Sequence, residues 1–204
     1  GGRIPVVAGT GGNSTHEAIE LTVSAAEAGA DYSLSVTPYY NKPTQQGLFE
    51  HFQAVARSVN LPIILYNVPG RTGCDLLNDT VVKLSQIDNI VAIKDATGDV
   101  ARGAALIEAV PDGFAVFSGD DATALELMRR GGQGNVSVTA NIAARDMAAM
   151  CHFALTGEWE AAAEIDARLS ELNDLLFIEA NPIPVKWAMA QRGMMEDGIR
   201  LPLT

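Results

Sequence analysis

The chain has 204 residues, 48% of them hydrophobic and 19% charged, which suits a packed globular fold and excludes a disordered polypeptide. Its 14 Lys and Arg against 25 Asp and Glu leave a net charge of −11, with no basic cluster to hold a nucleic acid. No uncharged apolar run reaches the roughly 18 residues that a membrane span needs, and on so acidic a chain an anionic substrate would need its own local positive group.

Apolar β-rich runs alternate with helical patterns along the chain. Strands are predicted at residues 4–8, 33–37, 62–66, 90–94, 114–117 and 135–138, their starts 21 to 29 residues apart. That spacing leaves room for a crossover helix each time, as parallel strands require. The matching helices are predicted at residues 15–28, 46–59, 78–86, 100–110, 122–130 and 145–155. Two more follow at 159–177 and 183–192, the second opened by Asn181-Pro182. Ser14 or Thr15 with Glu17 resembles a capping box, Asn78-Asp79 opens the third helix, and Gly29 closes the first.

Near-continuous apolar strands imply a sheet covered on both faces, hence the α/β class. Each strand ends in small polar or reactive residues: Thr10-Gly11-Gly12-Asn13, Thr37-Pro38-Tyr39-Tyr40, Tyr66-Asn67, Lys94-Asp95, Ser118-Gly119-Asp120 and Thr139-Ala140-Asn141. Chemistry spread over all the carboxyl ends suits a (β/α)8 barrel, whereas a doubly wound sheet concentrates it at one switch point. Six strands rather than eight lead us to expect a barrel without its first two βα units over residues 1–157, then a helical extension over 158–204. A barrel wall with unpaired edges is aggregation-prone, so these 204 residues alone are expected to be insoluble or inactive.

Cys74 and Cys151 lie far apart without a Cys-x-x-Cys pattern, which reads as a reduced, cytoplasmic protein. His16, His51 and His152 are scattered singly, so no metal site is expected.

Lys94 is the most informative residue. Period-2 alternation in Ile90-Val91-Ala92-Ile93-Lys94 sets it on the face of Ile90 and Ala92. A lone strand-end lysine ordinarily snorkels to water. On the inner face of a barrel its pKa falls instead, and a neutral amine there forms Schiff bases with carbonyls. Tyr66 points inward with Ile64, as a core aromatic or as a phenol able to shuttle protons. Arg71 in the glycine-flanked loop Gly70-Arg71-Thr72-Gly73 is either a surface cation or a carboxylate clamp. Tyr39-Tyr40 suit loop packing or a subunit contact. Gly9-Thr10-Gly11-Gly12 lacks the dinucleotide spacing, and Gly131-Gly132-Gln133-Gly134 precedes a strand, so neither supports a nucleotide cofactor.

Seven segments together resemble the dihydrodipicolinate synthase family of class I Schiff-base aldolases. They are Gly9-Thr10-Gly11-Gly12-Asn13, Thr37-Pro38-Tyr39-Tyr40-Asn41, Leu65-Tyr66-Asn67-Val68-Pro69, Gly70-Arg71-Thr72-Gly73, Ile93-Lys94-Asp95-Ala96-Thr97-Gly98, Ser118-Gly119-Asp120-Asp121 and Asn181-Pro182-Ile183-Pro184-Val185-Lys186. The resemblance runs end to end and in order. It implies a (β/α)8 barrel condensing pyruvate with L-aspartate 4-semialdehyde in lysine and diaminopimelate synthesis, without metal or nucleotide cofactor. It also implies a cytoplasmic homotetramer built as a dimer of dimers.

By that resemblance Lys94 looks like the Schiff-base lysine, Tyr66 like the proton-relay tyrosine, and Tyr40 like the tyrosine that reaches a partner's site. Arg71 matches the arginine that holds the semialdehyde carboxylate, while Gly119 and Val136 fall where backbone groups line the pyruvate pocket. Asn13, Glu17 and Tyr39 match positions that contact L-lysine in feedback-inhibited members. The family's catalytic threonine, in a Thr-Thr-Gly loop, has no counterpart in this sequence, and Asp95 replaces a common Glu on a side chain expected to point outward.

Two alternatives follow from the same residues. N-acetylneuraminate lyase and 2-keto-3-deoxy sugar acid aldolases share the lysine and tyrosine, but Gly70-Arg71-Thr72-Gly73 favours the synthase. A catalytically dead barrel kept as a binding protein is disfavoured by intact Lys94, Tyr66 and Arg71.

Overall fold

In the computed structural model, which describes residues 2–204, five parallel strands pair in the order in which the chain makes them. They are β1 (Val7–Gly9), β2 (Tyr32–Val36), β3 (Ile63–Asn67), β4 (Ile90–Asp95) and β5 (Ala115–Ser118). Helix α1 (Thr15–Glu27) joins β1 to β2, and α2 (Gln45–Ser58) joins β2 to β3. The one-turn α3 (Pro69–Thr72) and α4 (Asn78–Leu84) lead to β4, and α5 (Val100–Ala109) to β5. A 3-10 turn (Asp121–Thr123), α6 (Ala124–Arg129), α7 (Ala140–Thr156), α8 (Trp159–Leu175) and α9 (Ile183–Gln191) complete the chain. Among the described residues no helix is long and apolar enough to cross a membrane.

The helices that join the strands cover one face of the sheet. Leu48, Phe52 and Val55 of α2, Val81 and Leu84 of α4 and Leu106 of α5 pack on Ile63, Leu65, Ile93 and Val116. A second cluster joins α6, α7 and α8 through Met128, Met147, Met150, Ile165 and Leu169. Strands in sequence order with connecting helices on one side form the wall of a (β/α) barrel, since a doubly wound sheet reverses its order midway. The other face is concave. Leu34, Ile64 and Phe117 line a cavity of about 580 Å³ there, opposite Met147 and Cys151 of α7.

Local chemistry accounts for the departures from the sequence expectations. The first strand starts at Val7 rather than residue 4, because Pro5 has no N–H and Val6 instead donates to Asp31 Oδ2 at 2.8 Å. The sixth predicted strand shrinks to one parallel bridge, Ser118 with Asn135. Past it the backbone N–H groups of Val138 and Thr139 turn to Asp121 Oδ2, both at 3.0 Å, and leave the sheet. Thr139, Ala140 and Asn141 therefore open α7 instead of ending a strand, and α7 starts before residue 145, with a break at Ala143. Ser14 caps α1 as expected, whereas the N-cap of α4 is Leu77, and Asn78 spends its amide on the carbonyl of Arg102.

A bulge in β4 governs the site. Ile63 pairs with Ile90, but the next residue, Ile64, pairs with Ala92. Val91 is the extra residue, and it reverses the side-chain alternation. Ile90 and Ile93 therefore both pack under the helices, while Ala92 shares the concave face with Ile64. Lys94 keeps Ala92 as its face-mate but not Ile90, correcting the simple alternation drawn from the sequence.

Candidate active site

The carboxyl ends of β3 and β4 bring two predicted residues together. Tyr66 and Lys94 are register partners, and Lys94 Nζ lies 4.2 Å from the centre of the Tyr66 ring. Both are half-buried. Burial holds the Lys94 ammonium below the usual lysine value; Asp121 opposes that shift and Arg71 adds to it. Burial also raises the Tyr66 phenol, with Arg71 acting the other way. A lysine with a weakened hold on its proton beside a phenol that keeps its own is a nucleophile next to a proton donor.

Gly119 follows β5 and touches this lysine. A Cβ there would stand 2.7 Å from Lys94 Cε and 2.8 Å from Ala96 Cβ, so only glycine leaves the amine its channel. The Gly119 N–H donates to the Asp95 carbonyl at 2.7 Å, which locks this approach. Val136, 38% exposed, lines the concave cavity, and its N–H donates to Ser118 at 2.8 Å. Asp95 points away from the site as expected: it is buried on the helix side, where its Oδ1 accepts from the Thr97 N–H.

Arg71 is exposed at the rim on α3 rather than in a loop. Pro69 starts that helical turn, and the Thr72 hydroxyl fastens it to the carbonyls of Val68 and Cys74. Arg71 Nη1 donates to the Asn181 carbonyl at 3.1 Å, which leaves its remaining N–H groups for an anion. Tyr40 is 87% exposed with φ of +74°, an uncommon backbone for a residue with a Cβ. Asn13, Glu17 and Tyr39 lie on neighbouring segments: Asn41 Nδ2 donates to the Asn13 carbonyl, Tyr39 is 43% exposed, and Glu17 is exposed on the first turn of α1.

The glycine run after β1 serves packing. A Cβ on Gly11 would overlap the backbone N of Val36 and approach its Cγ1 to 2.7 Å. Thr10 is buried beside it, with hydrogen bonds to Ser33 and Thr22.

Two arrangements escaped sequence reasoning. Asp75 takes a bidentate contact from Arg102 (2.8 and 2.9 Å) and accepts from Asn67 Nδ2, which ties the end of β3 to α5. Asp121, 3% exposed, accepts from Asn135 Nδ2 at 2.7 Å as well as from Val138 and Thr139. Neither has a local spacing signal, because the partners lie 8 to 27 residues apart.

The model of the dihydrodipicolinate synthetase family matches residues 1–204. Proteins named 4-hydroxy-tetrahydrodipicolinate synthase from Nitrosomonas europaea and Pseudomonas syringae are 62% and 60% identical over 203 residues, covering 100% of this chain and 70% of theirs. Among solved structures, the chloride-inhibited dihydrodipicolinate synthase of Acinetobacter baumannii complexed with pyruvate superposes with a TM-score of 0.98 at 59% identity. It too is matched over 100% of this chain and 70% of its own. The lysine-bound enzyme of Cyanidioschyzon merolae is 45% identical with a TM-score of 0.94, over 98% of this chain and 68% of its own.

Proposed function

The chain belongs to the dihydrodipicolinate synthetase family, and on that premise we propose that it acts as a 4-hydroxy-tetrahydrodipicolinate synthase through Lys94. The observation that carries this reading is the pairing of a half-buried lysine, its ammonium disfavoured by burial, with Tyr66 on the concave face.

The chemistry follows from those groups. Neutral Lys94 Nζ attacks the ketone carbon of pyruvate, and the oxygen takes a proton from the Tyr66 hydroxyl. Loss of water gives the imine, and a proton removed from the pyruvate methyl gives the enamine. The enamine carbon then adds to the aldehyde of L-aspartate 4-semialdehyde, whose oxygen takes up a proton, and attack of that substrate's own amino group on the imine carbon closes the ring and frees the Lys94 amine. Arg71 on the rim holds the carboxylate of that second substrate by its fork of N–H groups. Backbone groups of Gly119 and Val136 line the pyruvate end. No metal or nucleotide enters this scheme.

Two further assignments rest on the family. Tyr40, with most of its ring in solvent, meets a second copy of the chain in a dimer of dimers. Asn13, Glu17 and Tyr39 bind L-lysine as a feedback inhibitor, the Glu17 carboxylate facing the ligand's ammonium. If millimolar lysine changes neither rate nor melting temperature, that assignment fails.

Borohydride reduction with pyruvate, followed by peptide mass mapping, tests the main reading. The adduct is expected on the Lys94 peptide and absent in Lys94→Ala; an unmodified Lys94 peptide in the native protein overturns it. Supplying pyruvate with either aspartate semialdehyde or N-acetylmannosamine separates the synthase from the sugar-acid lyases.

A further inference from the structure

We infer that Asp121 is a positioning residue for the reaction at Lys94: its buried carboxylate sets the 135–139 segment beside the lysine and carries a negative charge into the same site. The inference rests on the reading of Lys94 as the imine-forming group.

The geometry begins with what Asp121 holds. Its Oδ1 accepts from Asn135 Nδ2 at 2.7 Å, and its Oδ2 accepts from the backbone N–H groups of Val138 and Thr139 at 3.0 Å each. These bonds replace the ladder that a sixth strand would have made. The segment keeps one sheet contact, Ser118 with Asn135, next to Gly119, where even a Cβ would collide with Lys94. Thr139 extends the anchor outward by donating its hydroxyl to Asn173 of α8 at 2.6 Å. The carboxylate and the Ser118 bridge thus together decide where Val136 and its backbone stand on the concave face.

The same carboxylate also acts through its charge. Groups acting on the amine from the elements packed around β4 are Tyr66 on β3, Arg71 on α3 and Asp121 ahead of α6. Asp121 alone favours the ammonium, against burial and Arg71. A lysine with no such neighbour would be neutral at lower pH but would lose the countercharge for its cationic imine.

One substitution separates charge from position. In Asp121→Asn the single oxygen can still accept from Val138 and Thr139. Its amino group then meets Asn135, whose Oδ1 is buried without a partner and becomes the acceptor when that amide turns over. Asp121→Glu keeps the charge and displaces the anchor.

The test measures borohydride trapping of pyruvate on Lys94 against pH, with kcat, KM and melting temperature, in the whole protein and both variants. Asp121→Asn should melt near the native temperature while its trapping midpoint moves to lower pH by about half a unit or more. Asp121→Glu should keep the native midpoint and lose about tenfold or more in kcat. An Asn variant whose midpoint coincides with the native one overturns the charge role, and a Glu variant with native kcat overturns the positioning role. Failure to trap pyruvate on Lys94 in the native protein refutes the Schiff-base reading itself, a result distinct from either.

Discussion

Lys94 sits with its amine over the ring of Tyr66, 4.2 Å from the centroid, because β3 and β4 hold the two residues in register. The ring and the hydroxyl of this tyrosine have separable tasks. The ring packs beneath the amine, while the hydroxyl moves the protons of imine formation. Tyr66→Phe keeps the first and deletes the second. Its kcat should fall about 100-fold or more, with pyruvate KM little changed and the fold intact. Steady-state kinetics beside a thermal melt check this, and a native kcat would exclude the phenol as the relay.

Arg71 acts on both reacting groups through its charge. It pushes Lys94 down and opposes the rise of Tyr66, so its removal should raise both. Arg71→Ala should therefore need a higher pH for half-maximal trapping of pyruvate, opposite in direction to Asp121→Asn. The same variant should raise KM for the semialdehyde far more than KM for pyruvate. A titration of trapping against pH and a two-substrate kinetic grid decide it.

Space rather than backbone strain makes glycine necessary at position 119. Gly119→Ala puts a methyl 2.7 Å from Lys94 Cε and 2.8 Å from Ala96 Cβ, so the lysine must swing aside and the backbone at Ala96 must shift as well. The expected result is a lowered melting temperature, as overpacking costs about 1–3 kcal/mol, with imine formation slowed at least about tenfold. Rapid-quench trapping measures the rate, and an unchanged rate would mean that Lys94 tolerates another path to its substrate.

His51 gives the fold a dependence on acid. It is 5% exposed, bonded through Nδ1 to the Thr15 hydroxyl, and its Nε2 has no partner. Burial lowers its pKa below the ordinary 6.5, so the folded state resists a proton that the unfolded state takes up. Stability is then complete above about pH 6.5 and declines as pH falls from there toward the folded value. The loss is at most about 1.4 kcal/mol for each pH unit in that window. Denaturant melts from pH 7 to 5 should show this slope, and His51→Gln should flatten it.

Much of the arrangement was legible in the sequence. Spacing gave the alternation of strands and helices and put Tyr66 and Lys94 at the ends of neighbouring strands, whereas parity tied Lys94 to Ile90, which the bulge at Val91 turns to the other face. The failures came where a long-range contact overrides a local pattern. Residues 135–138 look like a strand, yet Asp121 takes up the N–H groups of Val138 and Thr139. Gly70-Arg71-Thr72-Gly73 looks like a loop, yet Pro69 and the Thr72 hydroxyl close one helical turn. The pair of Asp75 and Arg102 spans 27 residues, and no periodicity reports it.

The extra residue in β4 works like a shift of reading frame. Upstream of Val91 the even-numbered Ile90 faces the helices; downstream the even-numbered Ala92 and Lys94 face the hollow. The chain thereby spends three consecutive positions to begin a strand as oil and finish it as chemistry. A substitution at Val91 leaves that frame intact, whereas deleting this one residue would swing either Ile90 toward water or the reactive amine into the oil. At this point the strand is defined by its count of residues more than by the side chain the extra one carries.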